Sequence, residues 1–397
     1  MCVLRVMRLA AFCVGAMIAC PASFAAGDAV ETCLATDNFQ DTKTAIAACA
    51  EALHGPAVAA NVRAKILLAQ GEAFYWAGQQ GLAIHALDEA LKLDPKFEDA
   101  QVLRAWAEDD SGLRAKAIGD VQEVLSNNPE NARALYALGS FLLDPNDPED
   151  AISAFKMALV IDPDYHIARS ELARVYSDYA DEGEKALSQY ERLSAAGPEK
   201  LAAVRFGNSL GNAFDFYALT RYNLGLQRNK LLRFKDALED FDWLVANYPD
   251  DWRAYEQRGW ARFYLGDYSG ARADADAVIQ RDAQCECGWL LRLEVLVRLK
   301  QNAEAMAAAQ SLLLGPTTEE GRGVALFYRG YLHKLARNFG QAKADLETAS
   351  SLNPDIHRAL FTQLIQSGYY KGGMDDPYSA NASTALDDCL ADAACMR

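Results

Sequence analysis

The sequence predicts an all-α chain, a solenoid of about eight to nine helix-turn-helix repeats, on three observations. Alanines recur in one frame at Ala83, Ala117, Ala151, Ala186, Ala237, Ala271, Ala305 and Ala342, with spacings of 34, 34, 35, 51, 34, 34 and 37 residues. Twelve residues after most of them stands a proline: Pro95, Pro129, Pro163, Pro198, Pro249 and Pro354, with Ala283 in its place once and Pro316 one position early once. Around the anchors the apolar residues fall at helical spacing, as in Ala151, Ile152, Phe155, Ala158 and Leu159. A period of this length marks stacked units, each with an apolar face that it cannot bury alone.

The stretch 151–161 shows what each residue type contributes. Its apolar stripe predicts a helix buried on one side. Asp147 and Pro148 suit the helix start, and Pro163 forces the residue before it out of helical geometry. Upstream, "ARALYALGSFLL" (132–143) reads as a second amphipathic helix. Small Gly139 opposite small Ala151 would let the two backbones approach, and Phe155 would fill the wider gap above them.

This frame resembles the tetratricopeptide repeat, with glycine at position eight, alanine at twenty, a large apolar residue at twenty-four, alanine at twenty-seven and proline at thirty-two. Gly71, Ala83, Leu87, Ala90 and Pro95 fill those places in unit 64–97, and Gly139, Ala151, Phe155, Ala158 and Pro163 fill them in 132–165. Further units read at 98–131, 166–199, 218–251, 252–285, 286–319 and 323–356. Ala105 and Leu293 stand where glycine is expected, and the unit at 166–199 carries a one-residue insertion before Ala186. The resemblance implies a right-handed α-solenoid.

The elements follow in order. Residues 1–25 read as a secretory signal peptide: Arg5 and Arg8 precede an apolar stretch from Leu9 to Cys20, and Ser23 and Ala25 are small residues at the cleavage-defining positions. The competing reading is a lipoprotein box ending at Cys20, which would tether the chain to a membrane through lipid. Residues 26–63 form an N-terminal helical hairpin cap. The repeat frame, laid over it, puts Cys33 at position eight and Cys49 at twenty-four, so the two are expected to pair. One sub-array spans 64–199. The 51-residue spacing then marks an insertion, 200–217, and a place for a hinge between sub-arrays; a second sub-array spans 218–356. Residues 357–373 supply a C-terminal capping helix, and 374–397 read as a flexible tail.

Composition bounds the function. The chain has 397 residues, 51 % apolar and 24 % charged, so it can fold throughout. Loss of the leader leaves 37 basic against 55 acidic residues, a net charge of −18. That balance opposes binding to nucleic acid and favours a protein or peptide partner, a basic one above all. Six cysteines remain, an even number that favours disulfides in an exported chain; Cys389 and Cys395 are expected to bridge in the tail, and Cys285-Glu286-Cys287 is left open. Five scattered histidines and the lack of phosphate-loop, H-E-x-x-H or G-x-S-x-G patterns predict no enzyme, no cofactor and no metal.

In the family that the repeats resemble, positions two, five, nine, twelve and thirteen of each first helix face the concave surface. They carry Tyr75, Trp76, Trp106, Tyr136, Tyr222, Trp260, Phe263, Tyr264, Phe327 and Tyr331, a partner-binding set rich in aromatic anchors. The carboxylate-binding places of chaperone-binding members carry Leu68, Glu72, Leu103, Arg133 and Ala137 here, of which Arg133 alone suits an anion. The expectation is a periplasmic or secreted scaffold that binds a peptide or helix of a partner in an aromatic groove. The alternatives are a structural lipoprotein subunit of an envelope or secretion assembly and a thiol-active factor using Cys285 and Cys287.

Overall fold

The structure is a computed structural model that describes residues 26–35, 41–55, 58–202, 204, 215–372, 380–392 and 395. The leader 1–25, Cys20 included, and most of 203–214 lie outside them. Among the described residues the secondary structure is twenty α-helices without a strand, the helical solenoid that the repeat frame predicts.

The chain divides into two compact units. The first holds α1 (Ala26–Ala35), α2 (Thr42–His54), α3 (Ala60–Trp76), α4 (Gln80–Leu93), α5 (Glu98–Asp110), α6 (Arg114–Asn127), α7 (Ala132–Leu142) and α8 (Glu149–Ile161). Each helix packs on the next. Val102 and Ala105 of α5, Val121 and Val124 of α6, and Ala134 and Ala137 of α7 form one buried cluster, so a hairpin is completed by the first helix of its successor. At the hairpin contact a Cβ added to Gly139 would stand 2.8 Å from the Phe155 ring and 3.1 Å from the Ala151 carbonyl. Glycine is therefore required there by the close approach. Cys33 and Cys49 occupy the same two places in α1 and α2 and are bonded, with Cα atoms 4.7 Å apart.

The second unit begins at Pro163 and also takes in residues 145–148. It holds α9 (His166–Asp178), α10 (Gly183–Leu201), α11 (Phe216–Lys230), α12 (Phe234–Asn247), α13 (Trp252–Tyr264), α14 (Tyr268–Arg281), α15 (Glu286–Arg298), α16 (Asn302–Leu314), α17 (Glu319–Leu335), α18 (Phe339–Leu352), α19 (Pro354–Gln366) and α20 (Ala380–Ala391). Side-chain caps start several of them: Asp215, Asp267 and Thr318 each accept a backbone N–H three residues on.

Two differences from the sequence reading concern boundaries. The division into units falls at Asp162–Pro163, and α10 and α11, on either side of residues 203–214, belong to the same unit. Gly197, at φ 82, and Pro198 kink α10 near its end. Beyond the kink Leu201 is buried with Leu193, Phe216 and Leu224, so α10 packs directly on α11 across the insertion. The expected flexible tail contains α20, whose Ala382, Ala385, Leu386, Cys389 and Leu390 are buried against Leu360, Phe361 and Leu364 of α19 and Leu346 of α18. Apolar burial outweighs the acidic, polar look of that segment.

Candidate interaction surface

In the second unit the first helices α11, α13 and α17 carry the aromatic residues that the repeat register assigns to the inner face. Tyr222 is half-buried and packs edge-on against Phe241, 6.3 Å between centroids. Burial and the neighbouring Glu256 carboxylate push its phenol up to about 12. Trp260 and Tyr264, one turn apart on α13, lie 6.3 Å from each other with planes tilted by 32°. Tyr264 is 61 % exposed and stacks nearly parallel on Phe234 of α12, 4.8 Å away.

Between these helices opens a cleft of about 370 Å³ lined by Asn229, Leu232, Phe234, Gln257, Trp260 and Tyr264. Leu232 is 74 % exposed and sits at φ 59, in the left-handed region that the equivalent turns fill with Gly78, Gly112 and Gly266 in three repeats and with the polar Lys300 and Arg337 in two others. A large apolar side chain held there is costly in backbone energy and in exposed surface. The sequence reading missed Leu232 and Phe234 because they lie in the turn and at the start of the second helix, and missed the first-helix residues Asn229 and Gln257 because only aromatic side chains were taken as anchors, although Asn229 holds position twelve of its unit; a leucine at a turn position that is glycine in three other units was the available signal.

The other register assignments separate into three groups. Phe263 departs from the expected exposure: it is 7 % exposed and packs among Ala271 of α14 and Leu291 and Val295 of α15, between its own hairpin and the next. A step of about 100° around the helix turns it away from the surface that its neighbour Tyr264 occupies. Phe327 is half-buried against the C-terminal cluster, and Lys334 on the same helix donates to the carbonyl of Cys395, so the C-terminal segment covers part of this last repeat. Tyr331 on the same helix is half-buried.

In the first unit, Tyr75 meets Trp76 edge-on at 5.1 Å and its phenol is pushed up by burial and by Asp110. Trp106 lies 5.5 Å from Tyr136 and 4.8 Å from Phe141, and Tyr136 lies 5.9 Å from Phe155. These four side chains are half-buried and much of their surface packs between successive repeats. Arg133, the one residue suited to the carboxylate place, is paired with Asp99 at 3.0 Å.

Two carboxylates interleave with the aromatics of the second unit. Glu256 accepts from Gln257 Nε2 at 3.3 Å and from the Trp260 side chain, and burial raises its pKa. Glu294 on α15 is bonded to Tyr328 with Arg298 nearby, and burial raises it as well. Cys285 and Cys287 are bonded to each other at the start of α15, their Cα atoms 5.3 Å apart, and Cys389 and Cys395 form the third pair. Among the described residues no group of three or more His, Cys, Asp or Glu is placed to hold a metal ion. No helix among them is long and apolar enough to cross a membrane.

A stacked array of short helical hairpins with clefts between first helices defines an α-solenoid of the kind that indicates a protein–protein interaction scaffold. The sequence model for the tetratricopeptide repeat matches residues 102–166 and 222–284. Those residues are tetratricopeptide repeats, and the same frame recurs along the chain. The chain is 26 % identical over 214 residues to human DnaJ homolog subfamily C member 7, a match that covers 53 % of this chain and 42 % of that protein's length. Similar solved folds include a tetratricopeptide repeat protein from Parabacteroides merdae, at 16 % identity and a TM-score of 0.41 over 66 % of this chain and 97 % of that one. The type IV pilus biogenesis factor PilW is another, at 14 % identity and a TM-score of 0.44 over 54 % and 91 %.

Proposed function

We propose that this protein is an exported, non-enzymatic scaffold that captures a peptide or helix of a partner protein on the inner face of its second unit. One observation carries the reading: Trp260, Tyr264, Phe234 and Leu232 form an apolar cleft on a protein whose other large side chains are mostly spent on packing between repeats. Rigid aromatic rings offer contact area at small entropic cost, which suits them as anchors. The excess of acidic residues favours a basic partner. Export is supported by the leader-like residues 1–25 and by the pairing of all six cysteines that follow it, the pattern of an oxidising compartment. The periplasm of a bacterium, or the medium, is the compartment this implies.

The test is site-specific photo-crosslinking in cells from a benzoyl-phenylalanine placed at position 264, with position 156 in the first unit as control. A discrete adduct from 264 alone is the expected outcome, and its loss on Trp260→Ala places the contact in the cleft. Identical patterns from both positions would remove the reading. Intact mass of the purified envelope protein tests export separately, with a mature chain that begins at Ala26.

A further inference from the structure

The cleft between α11 and α13 has polar chemistry that its apolar walls do not use. Asn229 Nδ2 donates to the Gln257 backbone carbonyl at 3.2 Å, which fixes the amide orientation and leaves Oδ1 on the other side. That oxygen is buried and has no hydrogen-bond partner. A buried acceptor left unpaired costs free energy that an incoming donor would recover. One turn before Trp260 on α13, the Glu256 carboxylate is bonded to two cleft residues, Gln257 and Trp260, and no ion pair to it is seen among the described residues. Of the arginines on its helix, Arg253 is engaged by Asp251 at 2.9 Å and Arg258 by Asp274 at 2.6 Å.

We propose that this cleft is an arginine-accepting site, in which a guanidinium of the partner peptide stacks on Trp260 and Tyr264 and donates to Asn229 Oδ1 and the Glu256 carboxylate. The inference rests on the reading of the inner face as a peptide groove and names what that groove selects. Three features choose arginine. The walls are aromatic faces, to which a weakly hydrated planar cation is attracted. The unsatisfied groups are acceptors, and arginine brings donors in a fixed fork. The local carboxylate is uncompensated, as is the chain as a whole at a net charge of −16. A lysine would satisfy the charge but would leave the stacking and one of the two acceptors unused.

Calorimetric titration of the chain 26–397 with the blocked pentapeptide Ac-Ala-Leu-Arg-Leu-Ala-NH2 and its neutral citrulline counterpart tests the proposal. The arginine peptide should bind at least about tenfold more tightly at low salt, a discrimination of the size expected for one desolvated charge-assisted contact. Glu256→Gln should reduce that ratio to below about threefold, while Tyr264→Ala weakens both peptides. The indole N–H resonance of Trp260 should shift on binding. Equal affinity for both peptides overturns the arginine site and leaves the groove standing. Binding of neither removes both. Unchanged discrimination in Glu256→Gln moves the cation elsewhere and overturns the assignment.

Discussion

The guanidinium of Arg258 on α13 grips the carboxylate of Asp274 on α14 at 2.6 Å, across the two helices of one hairpin. Asp274 is 2 % exposed and also receives Arg262 at 2.9 Å. The same pairing, sixteen residues apart, joins Arg104 to Asp120 at 2.7 Å and Arg329 to Asp345 at 2.6 Å. In the hairpin of α11 and α12, Asp240 is held instead by Arg221 and Arg228, each at 2.7 Å. A buried ion clamp therefore recurs with the repeat beside the apolar contact. Removing one partner strands the other in the interior. Asp274→Ala should cost about 3–5 kcal/mol and Asp274→Asn less, since the amide keeps one acceptor. Thermal and urea unfolding of the two variants measure the difference; equal, small losses would show that the clamp is dispensable.

Asp240 gives a pH signature. Burial pushes its carboxyl from 3.8 to about 6, against the pull of both arginines. The folded chain then holds that proton more tightly than the unfolded chain, so this group favours folding fully below about pH 3.8. The contribution fades as pH rises through about 6, and amounts to roughly 3 kcal/mol between those limits. Asp240→Asn has no such titration. Wild type should therefore lose stability relative to Asp240→Asn between pH 4.5 and 7.5, as measured by paired melting curves. A constant difference would mean that the arginines set the carboxyl near its ordinary value.

How much of this was legible follows from what the residues must do. The alanine and proline frame was visible because small residues at the hairpin contact and a helix stop are each dictated by local geometry. Leu293 read as a departure from the frame, yet it is buried in one cluster with Ala309, sixteen residues on. The contact conserves volume: Gly139 meets Phe155, Ala105 shares a cluster with Val121, and large Leu293 faces small Ala309. A single-position template hides this, because each size is set by a partner. The ion clamps were hidden for the same reason, as was Leu232, whose meaning depends on its backbone angle. Leu293→Gly should lose about 3–5 kcal/mol as a cavity forms, and Ala309→Phe should overpack by about 1–3. The double variant should recover at least about 1 kcal/mol of the sum, read as a double-mutant cycle. Strict additivity would separate the two sites.

Leu232 sets stability against binding. At φ 59 a leucine is strained relative to glycine, and its side chain is mostly in water. Leu232→Gly should raise stability by about 0.5–1 kcal/mol, after the entropy that glycine adds to the unfolded chain is deducted. It also removes one wall of the cleft. The variant should melt higher and bind the arginine pentapeptide several-fold more weakly. A variant that melts higher with unchanged binding would assign Leu232 no part in recognition.

The C-terminal helix closes the array. Without α20, the faces of Leu360, Phe361 and Leu364 that Leu386 and Leu390 cover would meet water. Lys343 reaches Asp387 at 2.5 Å, Ser383 bonds Glu347 at 3.0 Å, and Tyr369 bonds Asp392, so polar contacts fix the helix in place. Two buried leucines contribute roughly 3–6 kcal/mol. A chain ending at Gly372 should unfold its last repeats at a lower temperature and bind a hydrophobic dye, and amides of α18 and α19 should exchange faster while those of α1 to α4 are unchanged. In a solenoid, stability is passed between neighbours, so the loss should fade over one or two hairpins from the cut. Uniform exchange across the chain after truncation would contradict local transmission, and an unchanged melting curve would show that α20 does not close the array.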